Sequence, residues 1–404
     1  MPELDRRIPE GVPQYVIDHA PLIHLSKKEI YRPASIAATL LRTRPQIHFV
    51  DIEPRDVPRD APLTLHNLDQ LNTIGGKGGE NIYLTSHEDL ETNPTWLNGC
   101  EIDKDGGTGD EKTGVVIVVD KGEGCVDAFY FYFWAFCWGG VVLERQLGDH
   151  VGDWEHNLIR FVNGEPKYVW YSQHAHGQAY TFFAVEKDAS GKRASLAPPL
   201  VYCANGSHAL YPTPGRHEST NPNLTIPIRF LLVDETSAGP IYDPLLTSYF
   251  YTFTPGTSEF SPYLFSTSCS SMSTTLNTTF GSAPIPIGFL YYRGRWGDQE
   301  YPKDDPRQKT LPSIKKYANG PTGPLDKQLN RMDIWPRNEI YISSLRHSLE
   351  RTWVLDKWLG PVNCLWSQVK PRGVLVSGED AQDGEHRRED VERDISRGFR
   401  YPRP

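Results

Sequence analysis

Residues 148–161 read GDHVGDWEHNLIRF, and this stretch decides how the rest of the chain is interpreted. It runs on into NLIRFVNGEPKYVWYSQ, residues 157–173, which has the pattern of a strand, an Asn-Gly turn and a second strand. Because side chains two positions apart in a strand share a face, Asp153 and Glu155 are predicted to point to one side and Trp154 and His156 to the other.

The two carboxylates of this stretch predict a charged site. Asp153 and Glu155 repel each other and resist joint ionisation unless a cation or a shared proton compensates. With His150 three residues earlier, the better interpretation is a divalent cation; oxygen and imidazole ligands favour Mg²⁺, Mn²⁺ or Ca²⁺ over Zn²⁺. The alternative is that the carboxylates pair with basic side chains and the histidines are hydrogen-bonded core groups. The candidate basic partners are Arg145, Arg160 and Lys167.

The composition predicts a turn-rich β protein. The 404 residues include 34 Gly and 33 Pro, and 11% are aromatic. A net charge of -9 argues against nucleic acid as a partner, since neutralising phosphates needs surplus Lys and Arg. The sequence contains neither an apolar run long enough to span a membrane nor the apolar segment of a secretory signal, and its six cysteines are scattered. A cytoplasmic protein is therefore expected, with peripheral association with the vacuole or a membrane left open.

The run Val126–Trp138 is rich in aromatic residues on both faces of a predicted strand. Such a strand is buried on both sides, or it buries one face and lines a cavity with the other. In the first case it is a core strand of a β-sandwich. In the second it forms an aromatic wall beside the acidic site and shapes a pocket for a substrate. The predicted pocket residues are Tyr130, Tyr132, Trp134 and Trp154.

Four segments are predicted along the chain. Residues 1–110 form an extended segment with loops that packs on the core, and residues 111–325 form an antiparallel β-sandwich core with long loops. Residues 326–376 are a C-terminal helical extension, because apolar residues recur there at steps of three and four between Ile340 and Val369. Residues 377–404 are a charged tail with little to bury, and are expected to be disordered.

Several stretches resemble the fungal Vps62 family, which is named for a vacuolar protein sorting phenotype. The similar segments span about residues 15–325 and cover most of the chain. They are HAPLIHLSKKEIYRPASIAATLL, LDQLNTIGGKGGENIYLTSHEDLETNPTWLNG, DAFYFYF, GDHVGDWEHNLIRF, YCANGSHALYPTPG, GPIYDPLLTSYFYTF and RWGDQEYPKDDPRQ. The resemblance implies a link to the transport of proteins to the vacuole, with no implied chemistry.

A shorter resemblance concerns the acidic stretch itself. GDHVGDWEH is similar to the GHRHDWEH motif of the necrosis- and ethylene-inducing peptide 1-like proteins, which are β-sandwiches with a divalent cation. The resemblance implies His150, Asp153 and Glu155 as metal ligands, and a later Gly-Ser-His turn adds His208. The second His of the motif is replaced by Gly152. An upstream Asp ligand has no clear counterpart, and Asp127 or Glu144 is the available substitute.

Two functions follow from this site. The first is a metal-assisted lyase, cyclase or hydrolase that acts on a small, largely apolar molecule, of the kind found in fungal secondary metabolism. Its catalytic residues are predicted to be His174, His176 and His208, although His174 and His176 could instead support the metal ligands. The second is a non-catalytic sorting or binding protein in which a metal is structural and the trafficking partner is unknown.

Overall fold

The computed structural model describes residues 8–52, 62–75, 77–142, 144–189, 198–218, 233–264, 284–311 and 314–334. This part of the chain is mainly β, which confirms the fold class at that level. Its strands are β1 (Leu22–His24), β2 (Thr43–Ile47), β3 (Val50–Asp51), β4 (Tyr83–Ser86), β5 (Gly114–Gly122), β6 (Cys125–Cys137), β7 (Val141–Val142), β8 (Arg145–Gln146), β9 (His150–Val162), β10 (Glu165–Gln173), β11 (His176–Thr181), β12 (Leu200–Cys203), β13 (Leu210–Tyr211), β14 (Gly215–Glu218), β15 (Val233–Thr236), β16 (Ile241–Tyr242), β17 (Ser248–Thr254), β18 (Glu259–Pro262), β19 (Thr310–Leu311) and β20 (Ile314–Lys315).

The helices within the described residues are short. The α-helices are α1 (Gln14–Asp18), α2 (Ile36–Leu41) and α3 (Gly288–Tyr291). The 3₁₀ helices are Leu68–Thr73, Leu90–Thr92, Thr95–Asn98, Phe182–Ala184, Pro244–Leu246 and Pro324–Lys327. None of the helices in these ranges is long and apolar enough to cross a membrane. The predicted helix, which begins after Ile340 and ends near Gly360 and Pro361, and the predicted disordered tail lie outside the described residues.

A seven-stranded sheet with the order β11-β10-β9-β6-β5-β17-β18 forms the centre of the fold. Its middle strand β6 is buried on both faces. Phe129, Phe131 and Phe133 belong to the hydrophobic cluster on one face, and Tyr130 and Tyr132 belong to the cluster on the other. The aromatic run is therefore a core strand, because both of its faces are needed to fill hydrophobic layers.

The face that carries Tyr130 packs against a smaller sheet with the order β13-β12-β1-β16. Ile23 of β1 and Val201 of β12 lie in the same cluster as Tyr130. The opposite face is covered by α2, α3 and the 3₁₀ helix Leu68–Thr73, whose apolar side chains join the cluster of Phe129. The description as an antiparallel sandwich needs a correction, because β1 runs parallel to β12 and β17 runs parallel to β5.

A backbone crossing fixes the start of β9. Gly152 has a φ of +66°, and a Cβ placed on it would lie 1.8 Å from the carbonyl oxygen of Trp296. Gly297 makes the reciprocal approach, since its Cβ would lie 2.0 Å from the carbonyl oxygen of Val151. The resemblance to the GHRHDWEH motif ends at Gly152 for this reason: no histidine side chain fits between β9 and the segment that crosses it.

Gly152→Ala is expected to destabilise the protein far more than Gly109→Ala. Gly109 has the same φ of +66°, but a Cβ there meets nothing within 4 Å. The control therefore measures backbone strain alone, which is about 1–2 kcal/mol for a left-handed residue. Gly152→Ala adds a clash with backbone and should cost roughly 2 kcal/mol more. Urea denaturation of both variants measures the difference, and equal midpoints would show that the crossing does not constrain β9.

Candidate functional site

A cavity of about 430 Å³ lies where β9 and β10 part. The whole of β9 runs beside β6, but its pairing with β10 extends only from Val162 to Asn157. At the point of divergence the hydroxyl of Ser172 accepts a hydrogen bond of 2.7 Å from the His156 backbone N–H. A side chain thus takes the place of the next backbone partner, and the gap beyond it is the β9–β10 cavity.

The cavity meets both faces of β9, so its two walls differ in chemistry. Asp153 and Glu155 lie opposite Trp134 and Tyr132 on the face of the smaller sheet. Trp154 packs in the cluster of Phe133 on the other face, and the ring of His156 stacks on Phe131 there. The predicted alternation of these four side chains is confirmed. The acid–histidine wall comprises His150, Asp153, Glu155, Ser172, His174 and His176.

Asp153 is held as a carboxylate by a buried histidine. Its Oδ2 accepts a hydrogen bond of 2.9 Å from Nδ1 of His208. His208 is completely buried and stacks on Trp134 with ring centroids 4.4 Å apart. Burial alone would raise the pKa of Asp153, but the hydrogen bond and the charges of nearby histidines hold it below its usual value.

Glu155 has the opposite protonation preference. It accepts hydrogen bonds from the Ser172 hydroxyl and, at 3.1 Å, from the His174 backbone N–H. Burial, followed by the negative charge of Asp153, raises the pKa of Glu155 to about 8. Glu155 therefore tends to keep its proton while Asp153 is charged, so two neighbouring negative charges are avoided.

His174 forms an ion pair with a carboxylate that sequence reasoning missed. Its Nε2 lies 3.0 Å from Oδ2 of Asp234, which also accepts hydrogen bonds from the hydroxyls of Ser207 and Tyr211. Partial desolvation of the half-exposed ring would lower the pKa of His174, but the charge of Asp234 and its hydrogen bond raise it to about 9. The same pairing lowers the pKa of Asp234 to about 2, against the effect of burial. Asp234 is in β15, a strand whose sequence carries no motif, so nothing local pointed to it.

The two other predicted histidines of this wall have separate environments. His150 hydrogen-bonds through Nδ1 to the backbone carbonyl of Gly152 at 2.7 Å, and burial lowers its pKa. His176 begins β11 and lines the cavity. His208 does not line the cavity, but it is hydrogen-bonded to Asp153, which does.

The described side chains do not form a prepared metal site. Within the described ranges, no group of three or more His, Cys, Asp or Glu residues is arranged to hold a metal ion. Asp153 is bonded to His208, Glu155 to Ser172, and His150 to a backbone carbonyl. The predicted ligands lie along one wall, but each is directed to a partner within the protein.

The predicted aromatic pocket needs correction at three positions. Tyr130 and Tyr132 are fully buried and donate their hydroxyls to the Val16 carbonyl and the Asn157 side chain, respectively. Trp134 is covered by His208. Of the four predicted pocket residues, only Trp154 lines the cavity. Both faces of β6 are occupied by the protein's own core, which leaves no ring of that strand for a ligand.

Two of the three basic side chains predicted as alternative partners of the acids, Arg145 and Arg160, have other partners. Arg160 makes two hydrogen bonds to Asp127, at 2.7 and 2.8 Å, and Arg145 donates to the carbonyl of Thr310. Asp127 is therefore engaged away from the acid–histidine wall. Glu144, the other candidate for the missing ligand, lines a separate surface pocket. Neither residue replaces the upstream Asp ligand that the resemblance implies.

Fold and site define a mainly β protein with a preformed polar cavity at a split in its central sheet. The family described as vacuolar protein sorting-associated protein 62 matches residues 141–235, which contain the whole acid–histidine wall and Asp234. The Saccharomyces cerevisiae protein of that name is 36% identical over 338 residues, covering 81% of this chain and 68% of the relative. TDA6, also named for vacuolar protein sorting in the same yeast, is 35% identical over 346 residues, covering 81% and 69%. The chain belongs to the Vps62 family, and no solved structure matches it.

The His174–Asp234 ion pair should make stability depend on pH at both ends. The raised pKa of His174 contributes stability below about pH 6.5, and this is lost as the pH rises through about 9. The lowered pKa of Asp234 contributes stability above about pH 4, and this is lost as the pH falls through about 2. The full contribution is therefore present between about pH 4 and 6.5.

His174→Gln should flatten the pH dependence of unfolding above pH 6.5. Because 48% of the His174 side chain is exposed, solvent screens the pair, and a loss of no more than about 1 kcal/mol is expected. The control is His66→Gln, at an exposed histidine outside the cavity. Denaturant midpoints between pH 4 and 10 measure the effect. Parallel curves for wild type and His174→Gln would contradict the assigned ion pair.

Proposed function

We propose that this protein takes part in sorting proteins to the vacuole and that it does so by binding a ligand in the β9–β10 cavity. The observation that carries the proposal is the position of the family match. Residues 141–235 supply His150, Asp153, Glu155, His174 and Asp234, and the relatives that share the family are named for vacuolar sorting. The expected cytoplasmic location and an unidentified trafficking partner belong to the same proposal.

The organisation of the acid–histidine wall supports binding. Each charged group has a fixed partner within the protein, so the wall is held in one arrangement before a ligand arrives. Preorganised polar groups reduce the cost of ordering on association. A cavity of about 430 Å³ is within the range that holds small molecules or one side chain of a partner.

Complementation in yeast tests this proposal. A Saccharomyces cerevisiae strain lacking both relatives would express this chain, and the measurement is the fraction of a vacuolar hydrolase that is secreted. Wild type should restore retention. Asp234→Asn, which removes the charge opposite His174, should lose at least half of the restored retention. Asp120→Asn, at an exposed residue of β5 outside the cavity, is the control.

Two outcomes count against the proposal. A folded, expressed wild-type chain that restores no retention refutes the role in sorting. Full restoration by Asp234→Asn separates sorting from the cavity and leaves the family resemblance without a mechanism at this site.

A second candidate function is the metal-assisted enzyme, as a lyase, cyclase or hydrolase. It is favoured by the opposite pKa shifts of Asp153 and Glu155, since neighbouring carboxylates that separate in this way commonly divide acid and base roles. If a divalent cation binds in the cavity, the predicted ligands that line it, His150, Asp153 and Glu155, would hold it, and the ion would polarise a substrate oxygen. The His174 ring, which is paired with Asp234, would hold a proton on the same wall, while the His174 backbone N–H donates to Glu155.

Elemental analysis of the purified protein tests the metal. The enzyme candidate predicts close to one equivalent of Mg²⁺, Mn²⁺ or Ca²⁺ that chelation removes with little change in melting temperature. A metal whose removal melts the protein would be structural. Asp153→Asn should reduce the metal content, and Asp120→Asn should not. Metal content below one tenth of an equivalent after purification in buffers containing these ions would exclude this candidate.

A further inference from the structure

The wall of the β9–β10 cavity opposite the acid–histidine wall is basic. Its charged side chains are Arg295, Lys327, Arg331 and one carboxylate, Asp326, which accepts a hydrogen bond from Thr322. Its rings are those of Trp154, His156 and Trp170. Arg331 is only 5% exposed, and its guanidinium carbon lies 5.3 Å from the ring centre of Phe129 and 5.2 Å from that of Trp170. A guanidinium laid on two aromatic faces is well positioned to recognise a planar anionic group.

Two buried cations hold this basic wall in place. The Lys121 amine donates to the carbonyls of Leu329 and Arg331, and Arg160 donates to the carbonyl of Met332. Both cations also pair with Asp127, which is completely buried. The segment that carries Lys327 and Arg331 is therefore fixed to β5, β6 and β9. Its positive groups face the cavity as part of a rigid structure.

Three buried rings of the same wall have polar nitrogen atoms with no hydrogen-bond partner among the described residues. They are Nε1 of Trp154, Nε1 of Trp170, and both ring nitrogens of His156. Their residues are 2%, 1% and 5% exposed, and all three line the cavity. An unsatisfied buried donor costs about 1–3 kcal/mol, so three at one cavity call for an acceptor from outside the described residues. An indole N–H donates hydrogen bonds and does not accept them. The ligand atoms that contact Trp154 and Trp170 must therefore be acceptors, such as anionic oxygens.

We propose that the basic wall binds an oxyanion, the carboxylate or phosphate group of a small molecule. Lys327 and Arg331 supply the charge, and the indole N–H groups of Trp154 and Trp170 supply directed hydrogen bonds. The inference rests on the proposed function in placing the ligand within the same cavity. The other wall carries the negative charge of Asp153, so the far end of the molecule carries hydroxyl or ammonium groups.

Binding of inorganic phosphate and of acetate to the purified chain tests this assignment. Isothermal titration at pH 7 and constant ionic strength should show one saturable site for at least one of the two anions. Phosphate alone would identify a phosphate subsite, and acetate alone a carboxylate subsite. Binding should quench tryptophan fluorescence, because two indoles contact the anion.

Matched variants locate the site. Lys327→Met should weaken the anion at least tenfold, and Arg331→Lys, which keeps the charge but not the forked geometry, should weaken it by a smaller factor. Lys309→Met removes an exposed lysine from a separate surface pocket and should leave the affinity unchanged. The Lys327 side chain is half-buried at the cavity, so its removal is compatible with folding.

The proposal is overturned if neither anion binds saturably, or if Lys327→Met and Lys309→Met bind with equal affinity. These results are independent of the sorting assay. Anion binding by a chain that restores no sorting would retain the subsite and remove the proposed function. Restored sorting with no anion binding would retain the proposed function and remove the anion subsite.

Discussion

The site depends on one hydroxyl group. Ser172 lies where β10 leaves β9, and its Oγ accepts the N–H of His156 while its own proton goes to Glu155. The first bond ends the ladder without leaving a buried donor unpaired, and the second fixes the carboxyl group that faces the opening. A strand pair that continued for two more residues would fill the cavity with backbone. If the strands separated without this substitution, the buried N–H of His156 would lack a hydrogen-bond partner, and the fold would be less stable.

The opposite character of the two walls follows from the period of a strand. Successive side chains of β9 alternate between faces, and a cavity at the strand's open edge meets both sets. Asp153 and Glu155 turn toward the layer of the smaller sheet, where His208 and Ser172 satisfy them. Trp154 and His156 turn toward the layer of short helices, where Arg331 lies. One short stretch of sequence thus contributes acidic side chains to one wall and aromatic rings to the other.

The parts of this arrangement that are local in sequence could be predicted, and the parts assembled over long distances could not. The β9–β10 hairpin and the facing of Asp153, Trp154, Glu155 and His156 follow from period and turn chemistry. The ion pair of His174 with Asp234 joins residues 60 positions apart. The basic wall comes from segments around residues 295 and 327, and although RWGDQEYPKDDPRQ begins at Arg295, nothing in that stretch indicates that it lies beside β9. The pocket predicted from the aromatic residues of β6 was wrong for a related reason. The sequence of an aromatic run does not show whether its rings line a cavity or pack against a second layer of the protein's own core.

The crossing at Gly152 has a consequence for how β9 can pair. Trp296 and Gly297 press their backbone against Val151 and Gly152, and only a residue without Cβ fits at the contact. Sliding β9 by a single position would bring Val151 or Asp153 beneath the Trp296 carbonyl, where neither side chain has room. The crossing therefore acts as a register stop. It excludes a slip of one residue, which would exchange the two faces of β9. Asp153 and Glu155 would then point toward the layer of short helices, and Trp154 would point toward the smaller sheet.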